Sequence, residues 1–209
     1  MKKIEPYRNI NDAISNLDNG GRFYNILTKA DDGIISKSEL GKVGGIFNDK
    51  QQMILFLELS ISKLDNGKKN VIISKLDENL QKIYLKHKAI KRLPSEADSK
   101  GIIAANTIIT GIPKLTKSKT DFIGFIMIPV MIGNVTTFSL IPLIDIYDVY
   151  ELRDEKSSQS FLIAHSKGTN KLPEKKIKVA GVLKELKANK NEKKASKMFL
   201  EAVYHMEIN

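Results

Sequence analysis

The chain has 209 residues, 42% hydrophobic and 28% charged, the balance of a globular protein long enough to bury a core without disulfides or a structural metal. It contains no cysteine, which excludes a disulfide scaffold, a thiolate nucleophile, a zinc ribbon and an iron–sulfur site. Lys and Arg number 34 against 24 Asp and Glu, a net charge of +10 that favours acidic partners such as nucleic acid.

Met1-Lys2-Lys3 is followed by Ile4-Glu5-Pro6-Tyr7-Arg8-Asn9 rather than an apolar run, so a secretory leader is not expected and a cytoplasmic setting is. Residues 11–17 place Ala13, Ile14 and Leu17 at helical spacing before Gly20-Gly21, and Phe23, Tyr24, Ile26 and Leu27 continue as a second short helix. Asn48-Asp49 caps a stronger helix with Met53, Ile54, Phe56, Leu57, Leu59, Ile61 and Leu64 spread around it, the pattern of a central helix. Asp65-Asn66-Gly67 ends it. Residues 71–90 carry Ile72, Leu76, Leu80, Ile83 and Leu85, predicting one amphipathic helix. Lys82, Lys86, Lys88, Lys91 and Arg92 gather toward its C-terminal end, where cations complement the helix dipole.

Residues 94–101 are polar and begin with Pro94, and they read as a linker. Beyond them the pattern becomes β-branched: Ile102-Ile103, then Thr107-Ile108-Ile109-Thr110, ended by Gly111-Ile112-Pro113. Residues 122–144 are nearly free of charge and long enough for a membrane helix. Pro129, Pro142 and the central Gly133-Asn134 before Val135-Thr136-Thr137 predict a hairpin instead, with Phe122, Phe125 and Phe138 in a core. Phe161-Leu162-Ile163-Ala164, then 177–183 and 198–208, are further strands. The expected fold is α+β: a helical region over 1–93, a linker over 94–101, and an antiparallel β domain over 102–209 forming a small barrel or sandwich.

The order of an apolar run at 161–164, a lysine-rich loop, and Ile177, Val179, Gly181 and Leu183 at alternate positions resembles the closing part of an oligonucleotide/oligosaccharide-binding (OB) fold. The glycine fits, since a small barrel must bend sharply there. The polar segment between Tyr150 and Phe161 departs from that pattern, being too short for a substantial helix.

Residues 1–96 and 97–209 each hold 17 basic and 12 acidic residues, +5 apiece, but residues 167–197 hold eleven lysines and three glutamates. The resemblance places Lys187, Lys190, Lys193, Lys194 and Lys197 in the loop between the last two strands, one that grips nucleic acid in OB folds. With Lys167, Lys171 and Lys175 they form the candidate phosphate contacts. Tyr147 and Tyr150 are the candidate stacking platforms, with Phe161 and Tyr204 also considered. The expected ligand is single-stranded nucleic acid, held by these lysines and the outer strand face.

Residues 28–40 are similar to an EF-hand loop, with Asp32, Gly33, Ile35 and Glu39 in place but Thr28 and Ala30 where oxygen ligands are needed. The same string is similar to the acidic-glycine element of TerB-type tellurite-resistance domains. Ser36-Lys37-Ser38-Glu39 reads more simply as a capping box after an Asp31-Asp32-Gly33 turn. His87, His165 and His205 lack metal-binding spacing, and Gly41-Lys42-Val43-Gly44-Gly45 lacks the Ser/Thr of a phosphate loop. No catalytic residue, metal or cofactor is expected, and no membrane partner. The alternative is a protein-interaction adaptor or a homo-oligomeric assembly component.

Overall fold

A computed structural model describes residues 1–19, 31–116, 125–132, 135–155, 157–168, 170–186 and 197–208. The helix expected around Phe23, the Gly133-Asn134 step and Phe122 lie outside them. The protein is mixed α+β, with helices first and strands after, and it divides into two compact units: Lys2–Ile90, and Met1 with Lys91–Asn209. No helix of the described residues is long and apolar enough to cross a membrane.

The first unit contains β1 (Lys2–Lys3), α1 (Ile10–Leu17), α2 (Lys37–Gly44), α3 (Lys50–Ser60), α4 (Asn66–Ser74) and α5 (Glu78–His87). Each helix start is fixed by a short polar side chain accepting from the N–H three residues on: Asn9, Ser36, Asp49, Asp65 and Asp77. Ser36 and Glu39 form the expected capping box. Helix α3 is the central one, buried continuously from Met53 to Ser60. Its Glu58 is buried with the apolar residues and accepts from the Tyr84 hydroxyl at 2.9 Å. Burial, reinforced by that carboxylate, pushes the Tyr84 phenol above its ordinary range.

The single helix expected over 71–90 is two. Helix α4 starts at Asn66 because Asp65 caps it rather than ending a helix. The chain then leaves helical geometry so that Leu76 can bridge Ile35: Ile35 N donates to Lys75 O at 2.7 Å, and Asp77 N to Ile35 O at 2.9 Å. Asp77 restarts the helix by accepting from Leu80 N. Long-range pairing wins here over periodicity, which runs through the break unchanged.

At the boundary lies β2 (Ile90–Arg92), and the second unit continues with α6 (Pro94–Lys100), β3 (Asn106–Leu115), β4 (Phe125–Ile132), β5 (Val135–Pro142), α7 (Leu143–Ile146), β6 (Tyr147–Arg153), β7 (Ser160–Ser166), β8 (Ile177–Leu186) and β9 (Lys197–Glu207). The expected linker is therefore helix α6. Pro94 starts it, as proline does in a first turn where its missing N–H costs nothing, and Ala97 is buried in the unit's core. Likewise Gly111-Ile112-Pro113 does not end its strand but continues β3.

Strand β3 pairs antiparallel with β8 through its first half and with β6 through its second. β6 pairs antiparallel with β7, β7 parallel with β9, and β9 antiparallel with β8. The pairing path thus returns to β3. One face holds Ile109, Tyr150, Leu152, Phe161, Ile163, Ile177, Val179, Leu183, Leu200 and Ala202 as a continuous core. β4 and β5 form a separate two-stranded hairpin, Phe125 opposite Pro142 through Ile132 opposite Val135, as the sequence predicts. The connection at 167–176, rather than the one between β6 and β7, joins β7 to β8, and its described residues form no helix.

The register of β8 shifts between Ala180 and Gly181, a β-bulge that bends the strand. A Cβ on Gly181 would collide with the Glu201 carbonyl oxygen. Gly181→Ala is therefore expected to destabilise the protein by about 3 kcal/mol, the upper range for overpacking against backbone. Urea unfolding checks this, and an unchanged midpoint would show that β8 and β9 can part at this point.

Candidate nucleic-acid interface

The strand pairing decides which side chains reach solvent. Tyr150 lies on the core face, 2% exposed; its ring stacks on His165 at 5.4 Å, and its hydroxyl accepts from Leu172 N at 3.2 Å. Phe161 and Tyr204 are buried as well. None of the three presents a face on which a base could stack, because each is used to fill the core. Phe138, expected in a core, is instead 63% exposed on β5.

Tyr147 opens β6 on the opposite face and is half-buried. Its hydroxyl donates to a Glu201 carboxylate oxygen at 2.5 Å, and the other oxygen of Glu201 pairs with Lys184 of β8. Its ring meets Phe199 edge-on at 6.5 Å. Burial, with the Glu201 hydrogen bond and charge behind it, pushes the Tyr147 phenol upward. This Lys184–Glu201–Tyr147 group joins three strands and is invisible in sequence, since it depends on register across β6, β8 and β9.

The outer strand face expected to receive a ligand is largely covered. Val149, Ala164, Leu186 and Phe199 form a second buried cluster with Leu143, and Ile126, Tyr147 and Leu162 pack against it. Ile126 and Leu143 belong to the foot of the β4–β5 hairpin, so the hairpin closes the face from which it springs.

The candidate lysines fall in two groups. Lys167, Lys171 and Lys175 are exposed on the β7–β8 connection; Lys197 is exposed at the start of β9. Lys175 pairs with Glu207, and its neighbour Lys176 with Glu155. Lys187, Lys190, Lys193 and Lys194 lie outside the described residues, between Leu186 and Lys197.

In the other unit, Thr28 and Ala30 of the loop similar to a calcium site lie outside the described residues, and the turn after Asp31 is held by hydrogen bonds within the protein. Asp32 Oδ1 accepts from Ile34 N, and buried Asp18 Oδ2 accepts from Gly33 N, both at 2.9 Å. Among the described residues there is no group of three or more His, Asp or Glu arranged to hold a metal ion. Compared with known protein families and with curated proteins, the chain matches neither a family nor a curated sequence.

Burial holds the His165 imidazole below its ordinary 6.5, partly offset by its hydrogen bond to the Ser166 carbonyl. The folded state keeps His165 neutral while an unfolded chain takes up the proton first as pH falls. The resulting stability is present above about pH 6.5 and lost as pH drops through the folded value. The wild-type melting temperature should fall between about pH 7.5 and 5.5, and less steeply in His165→Gln. Equal slopes in thermal melts of the two proteins would remove His165 as the cause.

Proposed function

We propose that the Lys91–Asn209 unit is an OB-like barrel and that it binds single-stranded nucleic acid without catalysing a reaction, in a cytoplasmic setting. The observation that carries this reading is the pairing circuit. Five strands in the order β3-β6-β7-β9-β8, returning to β3, with β7 and β9 parallel and the other pairs antiparallel, is the connectivity of a five-stranded Greek-key barrel of this kind. The β-bulge at Gly181 supplies the bend such closure needs.

The ligand lies along the connecting segments rather than on the covered strand face. In an OB barrel the connection between the first two strands and that between the last two flank the ligand. Here these are the connection carrying β4 and β5, and the segment carrying Lys187, Lys190, Lys193 and Lys194. Ile126 and Leu143 of the former pack with Leu186 and Phe199, which flank the latter in the chain. Lysines act there as point charges on phosphate, with an affinity set mainly by backbone charge rather than base identity.

The test is fluorescence anisotropy with a labelled single-stranded oligonucleotide of about 20 nucleotides, longer than one OB fold covers. Replacing Lys190, Lys193 and Lys194 by Gln should weaken binding and reduce the slope of log affinity against log salt by about 2, since each single-strand phosphate no longer neutralised removes about 0.7. An unchanged slope, or no wild-type binding at low salt, would overturn the reading.

A further inference from the structure

The β4–β5 hairpin carries no charged residue from Phe125 to Pro142. Directly opposed residues of an antiparallel pair share a face, so the register separates its two sides. One side carries Phe125, Met127, Pro129 and Met131 opposite Pro142, Leu140, Phe138 and Thr136. Met127, Met131, Phe138 and Leu140 are 50%, 73%, 63% and 51% exposed, a contiguous apolar surface of a kind that marks an interaction site. The other side is mixed: Ile126 and Ile141 are half-buried at the foot, Thr137 and Ser139 are polar, and Val130 and Val135 are 37% and 68% exposed. The foot is anchored by Ile126 and Leu143 in the Val149–Phe199 cluster.

Cations stand around that foot. Lys167 N donates to the Ile146 carbonyl at 3.2 Å, and its side chain is exposed. Exposed Lys197 lies two residues before Phe199 of the anchoring cluster. Exposed Lys114 lies two residues before Thr116, whose N–H donates to Val149 O at 2.9 Å. The nearby Glu151 and Glu201 are each engaged by a cation, Arg153 and Lys184.

An apolar face rimmed by lysines selects among occupants. A second copy of the chain brings another net +10, which opposes self-association. Nucleobases need ring faces to stack on, and among Met127, Met131, Phe138 and Leu140 only Phe138 has one. An anionic lipid surface satisfies both features at once, acyl chains for the apolar face and headgroup phosphates for the lysines. Two strands with open edges cannot span a bilayer, since unpaired N–H and C=O groups are not tolerated in hydrocarbon.

We propose that this face of the β4–β5 hairpin docks shallowly into the headgroup–acyl boundary of an anionic bilayer, with Lys114, Lys167 and Lys197 against lipid phosphates. It does not depend on the nucleic-acid reading. The test is co-sedimentation of the full chain with vesicles of phosphatidylcholine alone and with about one quarter phosphatidylserine, a mimic of a negatively charged cytoplasmic leaflet.

Wild type should bind the anionic vesicles and not the neutral ones, with binding weakened by salt. Met131→Ser combined with Phe138→Ser should reduce that binding about tenfold or more. Both side chains are exposed, so the variant should melt like wild type. Wild-type binding to anionic vesicles decides this proposal and wild-type binding to the oligonucleotide decides the preceding one, so the failure of either is distinguishable from the failure of the other. The proposal is overturned if wild type ignores anionic vesicles, if it binds neutral ones equally, or if the double variant binds as well. It is also overturned if light scattering shows a wild-type dimer that the double variant abolishes, which would make the occupant a second copy.

Discussion

Strand β8 has to bond on both edges, and most of what the second unit can do follows from how it manages this. On one side Asn106 to Gly111 of β3 pair with Val182 to Ile177; on the other, β9 pairs along the whole strand. A straight ten-residue strand cannot serve both neighbours of a tightly curved sheet. The bulge between Ala180 and Gly181 makes the turn, and the missing Cβ lets the Glu201 carbonyl lie where a side chain would otherwise be. That turn brings β9 alongside β7, with Ile163 opposite Leu200. Leu183, Leu200 and Ala202 are enclosed as a result. It also positions Glu201 between Tyr147 and Lys184, so a backbone constraint sets the polar geometry on the opposite face.

The hairpin changes what that opposite face is for. Covering Val149, Ala164 and Phe199 with Ile126, Leu143 and Leu186 removes apolar surface from water, and this burial stabilises the foot of a two-stranded element that would be marginal alone. The same packing leaves Met131 and Phe138 far from any core. One element thus closes a sheet face and presents a new apolar one. What the unit presents to solvent on this side is therefore the hairpin rather than the flat of the sheet.

Much of the architecture is legible in the sequence because it rests on local chemistry. Asp49 and Ser36 announce helix starts through carboxylate and hydroxyl groups that satisfy free amides. The apolar surround of α3 announces its central place, and proline and Gly-Asn rule out a membrane helix at 122–144. What stays hidden depends on partners distant in the chain. The break at Lys75-Leu76 exists because Ile35 pairs there. Pro94 starts α6 where the sequence reads a stop, since proline fits both roles and Ala97 has a core to enter. Tyr147 and Tyr150 look alike in sequence, yet their odd spacing along one strand sends the first to the outer face and the second to the core. Phe138 reads as core by composition and is exposed because its strand has no sheet to lie on.

Charge is distributed by the same geometry. Lys175, Lys176 and Lys184 are matched by Glu207, Glu155 and Glu201, but pairs at this exposure are worth under about 1 kcal/mol and exchange readily for phosphate. Each of these cations can exchange its carboxylate for another anion at little cost, so the chain's net +10, rather than any one pair, sets how strongly this surface attracts negative charge.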